Sequence, residues 1–130
     1  MNILLVEPDR LLARTYYAAL SERGHQVNIC ATAQAAIFCA DEQRPDLVIL
    51  ELQLVSHSGI EFLYEFRSYQ DWDDVPVIIN TYVPPREFSE SQTLLQEQLG
   101  IKAYYYKPVT TLFELVRSAE KIASLPAATI

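Results

Sequence analysis

A doubly wound α/β fold built on a five-stranded parallel sheet is the class this sequence predicts, on three observations. Five short β-rich runs alternate with five segments of helical period, the order expected when helices cover both faces of a parallel sheet. Three of the runs are almost continuously apolar, as strands buried on both faces are. The 130 residues, 50% of them hydrophobic, supply one core and one domain. That domain is expected over residues 1–123 with no separate output module, and 124–130 is expected to be a short tail that frays.

The elements follow in order. The first strand is predicted from Asn2 to Val6. Asp9 can cap a helix that carries Leu12, Tyr16 and Leu20 at fourfold spacing, and Gly24 can end it in the left-handed conformation. The second strand, Gln26 to Cys30, alternates Val27 and Ile29 with polar neighbours, which places it at an edge. Thr32 starts a second helix with Ile37 and Ala40 inward, and Pro45 stops it. Leu47 to Leu50 is the third strand. A third helix runs from about Gly59 through Phe62, Leu63 and Phe66, and the acidic turn Asp71-Trp72-Asp73-Asp74 returns the chain to a fourth strand, Val77 to Asn80. The Pro84-Pro85 step removes two backbone donors and stiffens the loop that follows. Ser89 with Gln92 has capping-box spacing ahead of Leu94, Leu95 and Leu99, which predicts a fourth helix. Ala103 to Tyr106 is the fifth strand. Thr111 with Glu114 repeats the capping-box spacing ahead of Leu115, Val116, Ala119 and Ile122, the fifth helix.

Charge removes several function classes. A net charge of −7 and a pI near 4.7 oppose binding to nucleic acid or to an anionic membrane, both of which select clustered Lys and Arg. No stretch approaches membrane-spanning length and no basic leader precedes the first strand, so cytoplasmic residence is expected. Cys30 and Cys39 match neither a redox pair nor a zinc half-site and read as reduced core thiols. His25 and His57 have no companion at metal-ligand spacing. With only Gly24, Gly59 and Gly100, the chain has no Gly-rich phosphate loop, and it has no GxSxG elbow. An enzyme is not expected.

Right-handed βαβ units bring the carboxyl ends of the strands to one edge of the sheet, where ligands of such folds bind. The residues at those ends are Glu7, Pro8 and Asp9, then Glu51, Thr81, and Lys107 with Pro108. Acids, a hydroxyl and a lysine converging from four strand ends are more specific than any single motif in the chain. From Ile3 to about Ala123 this arrangement resembles the response-regulator receiver domain of two-component signalling, in its single-domain chemotaxis type. The resemblance implies a flavodoxin-like (βα)5 sheet of order 2-1-3-4-5. By position, Glu7 matches the first acid of the family's magnesium-binding pair, Glu51 the phosphoacceptor aspartate, Thr81 the switch hydroxyl, Lys107 the phosphate-contacting lysine and Tyr104 the aromatic rotamer switch. It also implies a cis Lys107–Pro108 bond. A protein partner or homodimer is expected on the face of the fourth helix, fifth strand and fifth helix, around Tyr104, Tyr105 and Tyr106. At least one of those rings is expected to face outward beside the fourth or fifth helix.

The departures bear on chemistry. Pro8 stands where the second acid of the pair belongs, and Glu51 is one methylene longer than aspartate. Magnesium wants near-octahedral oxygens at about 2.0 to 2.1 Å, with slack of roughly 0.2 Å, whereas an added C–C bond moves the carboxylate by about 1.5 Å. No cofactor is expected, with weak magnesium binding through Glu7 and Asp9 as the residual possibility and capping as the other role for Asp9. The sequence therefore predicts a pseudo-receiver that binds a partner without phosphorylation. Two alternatives stay open: a receiver still phosphorylated in a magnesium-dependent relay, and a flavodoxin-like small-molecule sensor. If Glu51 bonds Lys107 and Thr81, Tyr104 is expected to turn inward as in an activated receiver; if Glu51 faces solvent, an inactive form is expected.

Overall fold

The computed structural model of the chain describes residues 1–124; the expected tail beyond Ser124 lies outside the described residues. The strands are β1 (Asn2–Val6), β2 (Gln26–Cys30), β3 (Leu47–Leu50), β4 (Val77–Thr81) and β5 (Ile101–Tyr106), and the α-helices are α1 (Arg10–Glu22), α2 (Ala33–Glu42), α3 (Gly59–Ser68) and α4 (Leu112–Ser124). All strand pairs are parallel, in the order β2-β1-β3-β4-β5. β2 is the edge strand that its alternating pattern predicts.

Alternation along the strands divides the interior into two layers. Leu4, Val6, Val48, Leu50, Val77 and Ile79 face α2 and α3, whose Ala36, Ala40, Phe62, Leu63 and Phe66 close that side. Ile3, Leu5, Leu47, Ile49 and Ile78 face α1 and α4, packing on Tyr16, Leu20, Leu115 and Ala119. The helix starts are chemically explicit. Asp9, Thr32 and Ser58 accept backbone N–H groups at the first turns of α1, α2 and α3. Thr111 and Glu114 exchange both bonds of a capping box at α4, satisfying donors that a helix start leaves free. Gly24 takes φ +86° just after α1. Cys30 and Cys39 are free thiols, and burial, aided by the neighbouring Cys39, pushes the Cys30 thiol up to about 12.

Three expectations need correction. The predicted fourth helix does not form as an α-helix. Pro85–Ser91 is a 3-10 stretch with a kink at Phe88, and Leu94–Gln98 is one π-helical turn closed by Leu99 N–H to the Leu94 carbonyl. Ser89 lies inside the 3-10 stretch, so it caps nothing. Pro84 and Pro85 lack the N–H groups an α-helical first turn would share out, and the kink carries the Phe88 ring to 6.0 Å from that of Tyr104. β5 begins two residues earlier than expected because Val77 pairs with Ile101 while Ile78 pairs with Ala103, leaving Lys102 as an extra residue in a bulge. The Lys107–Pro108 bond is trans; Pro108 sits early in a short 3-10 turn, Lys107–Val109, where its fixed φ suits the geometry.

The irregular crossover is held at its far end by Arg67. Its guanidinium donates to the carbonyls of Trp72 (2.7 Å), Leu99 (2.8 Å) and Gly100 (3.3 Å). Gly100 has φ +67°, and a Cβ there would stand 2.6 Å from the Arg67 Nη2.

Candidate functional site

The ladder itself aims the acids. Glu7 N–H still bonds the Cys30 carbonyl and Glu51 N–H the Val6 carbonyl, so both residues leave the sheet in register and their side chains rise together from its carboxyl edge. β4 delivers Thr81 beside them, and β5 ends where Lys107 turns back over the edge. The structure thus brings together Glu7, Glu51, Thr81 and Lys107.

Lys107 Nζ lies 2.6 Å from Glu7 Oε1 and 2.7 Å from Glu51 Oε1, with the three side chains only 3–4% exposed. Glu51 Oε2 accepts from the Thr81 hydroxyl, in a short contact, and from Gln53 N–H at 3.1 Å. Glu7 Oε2 accepts from Asp9 N–H at 3.1 Å. Every carboxylate oxygen in the cluster therefore has a donor. Burial raises the pKa of Glu7 above its ordinary value, against the lowering effect of its bond to Lys107. Burial also works against the Lys107 ammonium, but the hydrogen bonds and charges of Glu51 and Glu7 prevail and raise its pKa. Above the cluster, Lys107 Nζ sits 4.8 Å from the centroid of the Tyr82 ring, within cation–π range. Tyr82 follows Thr81 directly, in a segment the sequence reads only as a loop.

A hydrogen-bonded chain runs outward from Glu51. Val83 N–H donates to Thr81 Oγ1 at 3.2 Å, and the Tyr104 hydroxyl donates to the Val83 carbonyl at 2.7 Å. Tyr104 packs on the layer facing α2 and α3, and burial, with the charges of Glu87 and Glu51 adding, pushes its phenol up to about 12. Tyr105 packs on the opposite layer. Tyr104, Tyr105 and Tyr106 are all half-buried.

The family profile described as response regulator receiver domain matches residues 3–117. The chain belongs to this family. Among curated relatives it is similar to the KDP operon transcriptional regulatory protein KdpE of Escherichia coli (strain K12), 33% identical over 107 residues, 82% of this chain and 44% of that protein. The transcriptional regulatory protein YdfI of Bacillus subtilis (strain 168) is 29% identical over 92% of this chain and 55% of its own length. The receiver chain thus spans about half the length of these relatives. The non-phosphorylated HemR receiver domain from Leptospira biflexa has the same fold, with a TM-score of 0.81 and 24% identity over 99% of this chain and 98% of that one. The receiver domain of the sensor histidine kinase PA1611 from Pseudomonas aeruginosa PAO1, with magnesium coordinated in its active-site cleft, gives a TM-score of 0.78 and 25% identity over 95% of this chain and 98% of that one.

The residues of this receiver domain do not fit a magnesium ion. Pro8 offers no side-chain oxygen. Asp9 turns away, accepting Leu12 N–H at 3.0 Å as the cap of α1. The Lys107 ammonium stands between the two remaining carboxylates, where a cation would have to bind. No group of three or more His, Cys, Asp or Glu among the described residues is placed to hold a metal, and no helix among them is long and apolar enough to cross a membrane.

Proposed function

We propose that this receiver domain of two-component signalling acts as a protein-binding module without phosphoryl transfer, with Glu51 serving as a permanent occupant of the phosphoryl position. One observation carries the reading: the Glu51 carboxylate accepts at once from the Thr81 hydroxyl, Lys107 Nζ and Gln53 N–H. The hydroxyl and lysine are the groups that contact the phosphoryl moiety in receivers, so their donors are already spent on this chain's own side chain. The imitation is partial in charge, since one negative charge replaces about two. It is continuous in geometry, through Thr81 and Val83 to Tyr104, which supports an inward Tyr104 and a fixed surface along β5 and the irregular crossover. The domain works by presenting that surface rather than by catalysis.

Intact mass after incubation with acetyl phosphate and magnesium tests the reading, with a Pro8→Asp, Glu51→Asp double variant alongside. The native chain is expected to gain no phosphoryl mass while the variant gains one, since it regains the missing acid and the shorter acceptor. A phosphoryl adduct on the native chain would overturn the proposal in favour of a working relay.

A further inference from the structure

A second feature lies away from the ion cluster. Between α2 and α3 runs a groove of about 670 Å³, floored by Ile37, Phe62 and Trp72 and flanked by Phe38, Asp41 and Glu65. Phe62 and Trp72 are buried, whereas Phe38 on the wall is 63% exposed, and exposed aromatic surface beside a rigid floor is the composition of a binding patch. Ring packing fixes the floor: the Trp72 ring stacks 5.0 Å from that of Phe66 and lies tilted 4.7 Å from that of Tyr69. Apart from His57, which is engaged with Glu61, the charges of the rim carry only one sign. Asp41, Glu61 and Glu65 line the groove, and no lysine or arginine does. Glu61 is engaged in the cap of α3 with Ser58 and His57, which leaves Asp41 and Glu65 as the charges that face a ligand.

We infer that this groove receives a basic amphipathic helical segment of a partner protein, its apolar side chains on Phe38, Ile37 and Trp72 and its lysines or arginines against Asp41 and Glu65. Charge complementarity selects the occupant. An acidic rim on a chain of net charge −7 repels acidic or neutral-acidic segments and steers basic ones, and an apolar floor between two helices suits side chains repeating at i, i+3 or i+4 and i+7 on a third. The inference rests on residues other than those of the Glu51 cluster, and it stands whether or not Glu51 accepts phosphate.

Trp72 is the chain's single tryptophan, so the groove carries its own reporter. The probe is a Leu/Lys peptide of about four helical turns with leucine on one face, titrated into the intact chain while Trp72 emission is followed, beside a Leu/Glu peptide of the same apolar pattern. Saturable one-to-one binding of the Leu/Lys peptide with a Trp72 shift is expected, and none by the Leu/Glu peptide. The Asp41→Lys, Glu65→Lys double variant is expected to weaken binding by at least roughly tenfold. A Thr15→Lys, Ala18→Lys, Glu22→Lys variant, which makes the same change in net charge at exposed positions of α1 outside the groove, is expected to bind as the native chain does. Circular dichroism confirms that each variant is folded. Equal weakening in both variants, equal binding of both peptides, or no saturable binding would overturn the inference. So would self-association of the free chain that the Asp41→Lys, Glu65→Lys variant abolishes, since the occupant would then be a second copy.

Discussion

Glu7 and Glu51 share a scaffold with Asp41 and Glu65, and the two sets of carboxylates do opposite work. The first pair is nearly sealed from water, holds one ammonium between its members and has a donor at every oxygen. The second pair is exposed on the rim of an apolar groove that contains no lysine or arginine. The difference lies in burial. A sealed carboxylate must find its counter-charge inside the molecule or lose its ionisation, so Glu7 and Glu51 are committed to Lys107. An exposed carboxylate keeps its hydration until a partner arrives, so its charge remains usable for recognition.

The largest test of this contrast removes the shared counter-ion. Lys107→Met leaves two buried carboxylates without a cation and is expected to cost about 3–5 kcal/mol at neutral pH, the usual range for breaking a buried pair from one side. Urea denaturation at several pH values gives the sign. In the native chain Lys107 has a raised pKa, so its contribution is complete below the ordinary lysine value of 10.5 and is lost as pH climbs through the raised one. In the variant Glu7, raised by burial, also loses the Lys107 bond that lowers it, so stability is expected to recover as pH falls and its carboxyl becomes neutral. Stability of Lys107→Met that is flat from pH 8 to pH 5 would break the contrast.

Gly59 links the two regions. Its N–H bonds the Leu52 carbonyl, and a Cβ there would meet Leu52 Cα at 2.7 Å and the Glu51 carbonyl oxygen at 2.9 Å. Gly59→Ala must displace backbone on the Glu51 side or move the start of α3, and a loss of about 1–3 kcal/mol is expected, as for overpacked interiors. A loss confined to the cluster, read as a changed Lys107 titration with unchanged peptide binding, would sharpen the independence of the two regions.

The smallest effect belongs to the rim. Asp41→Lys with Glu65→Lys is expected to leave the denaturation midpoint unchanged while peptide binding falls, because neither exposed side chain satisfies a buried partner. A marked drop in stability would assign the rim a structural task instead.

Much of this was legible in the residues. The runs Asn2–Val6 and Leu47–Leu50 read as strands because both faces are apolar, and Asp9, Thr32, Thr111 and the left-handed Gly24 read as helix boundaries because their chemistry is local. The meeting of Glu7, Glu51, Thr81 and Lys107 followed from the topology, since each ends a strand or follows one. The crossover after Thr81 was not legible. The spacing of Ser89 and Gln92 is locally helical, but two prolines and the demands of Phe88 on Tyr104 and of Leu95 and Leu99 on the sheet override it. Tyr82 escaped for another reason: its position over Lys107 depends on how the end of β4 faces the end of β5, and pattern along the chain does not encode that. The groove needs two helices seen side by side, and Asp41 and Glu65 are unremarkable until α2 lies beside α3.

The bulge that absorbs Lys102 sets the phase of β5. Ile101 and Tyr104 face one layer while Ala103 and Tyr105 face the other, an odd separation that a regular strand gives only between residues of opposite parity. With the bulge in place, Tyr104 is the ring whose hydroxyl reaches the Val83 carbonyl. Were Lys102 drawn into regular alternation instead, either Ile101 would leave its layer or Tyr104 and Tyr105 would exchange sides, whereas excising it would leave all four side chains where they are. The bulge thereby decides which of two adjacent tyrosines is wired to Glu51, a form of addressing written in backbone register instead of in side-chain chemistry.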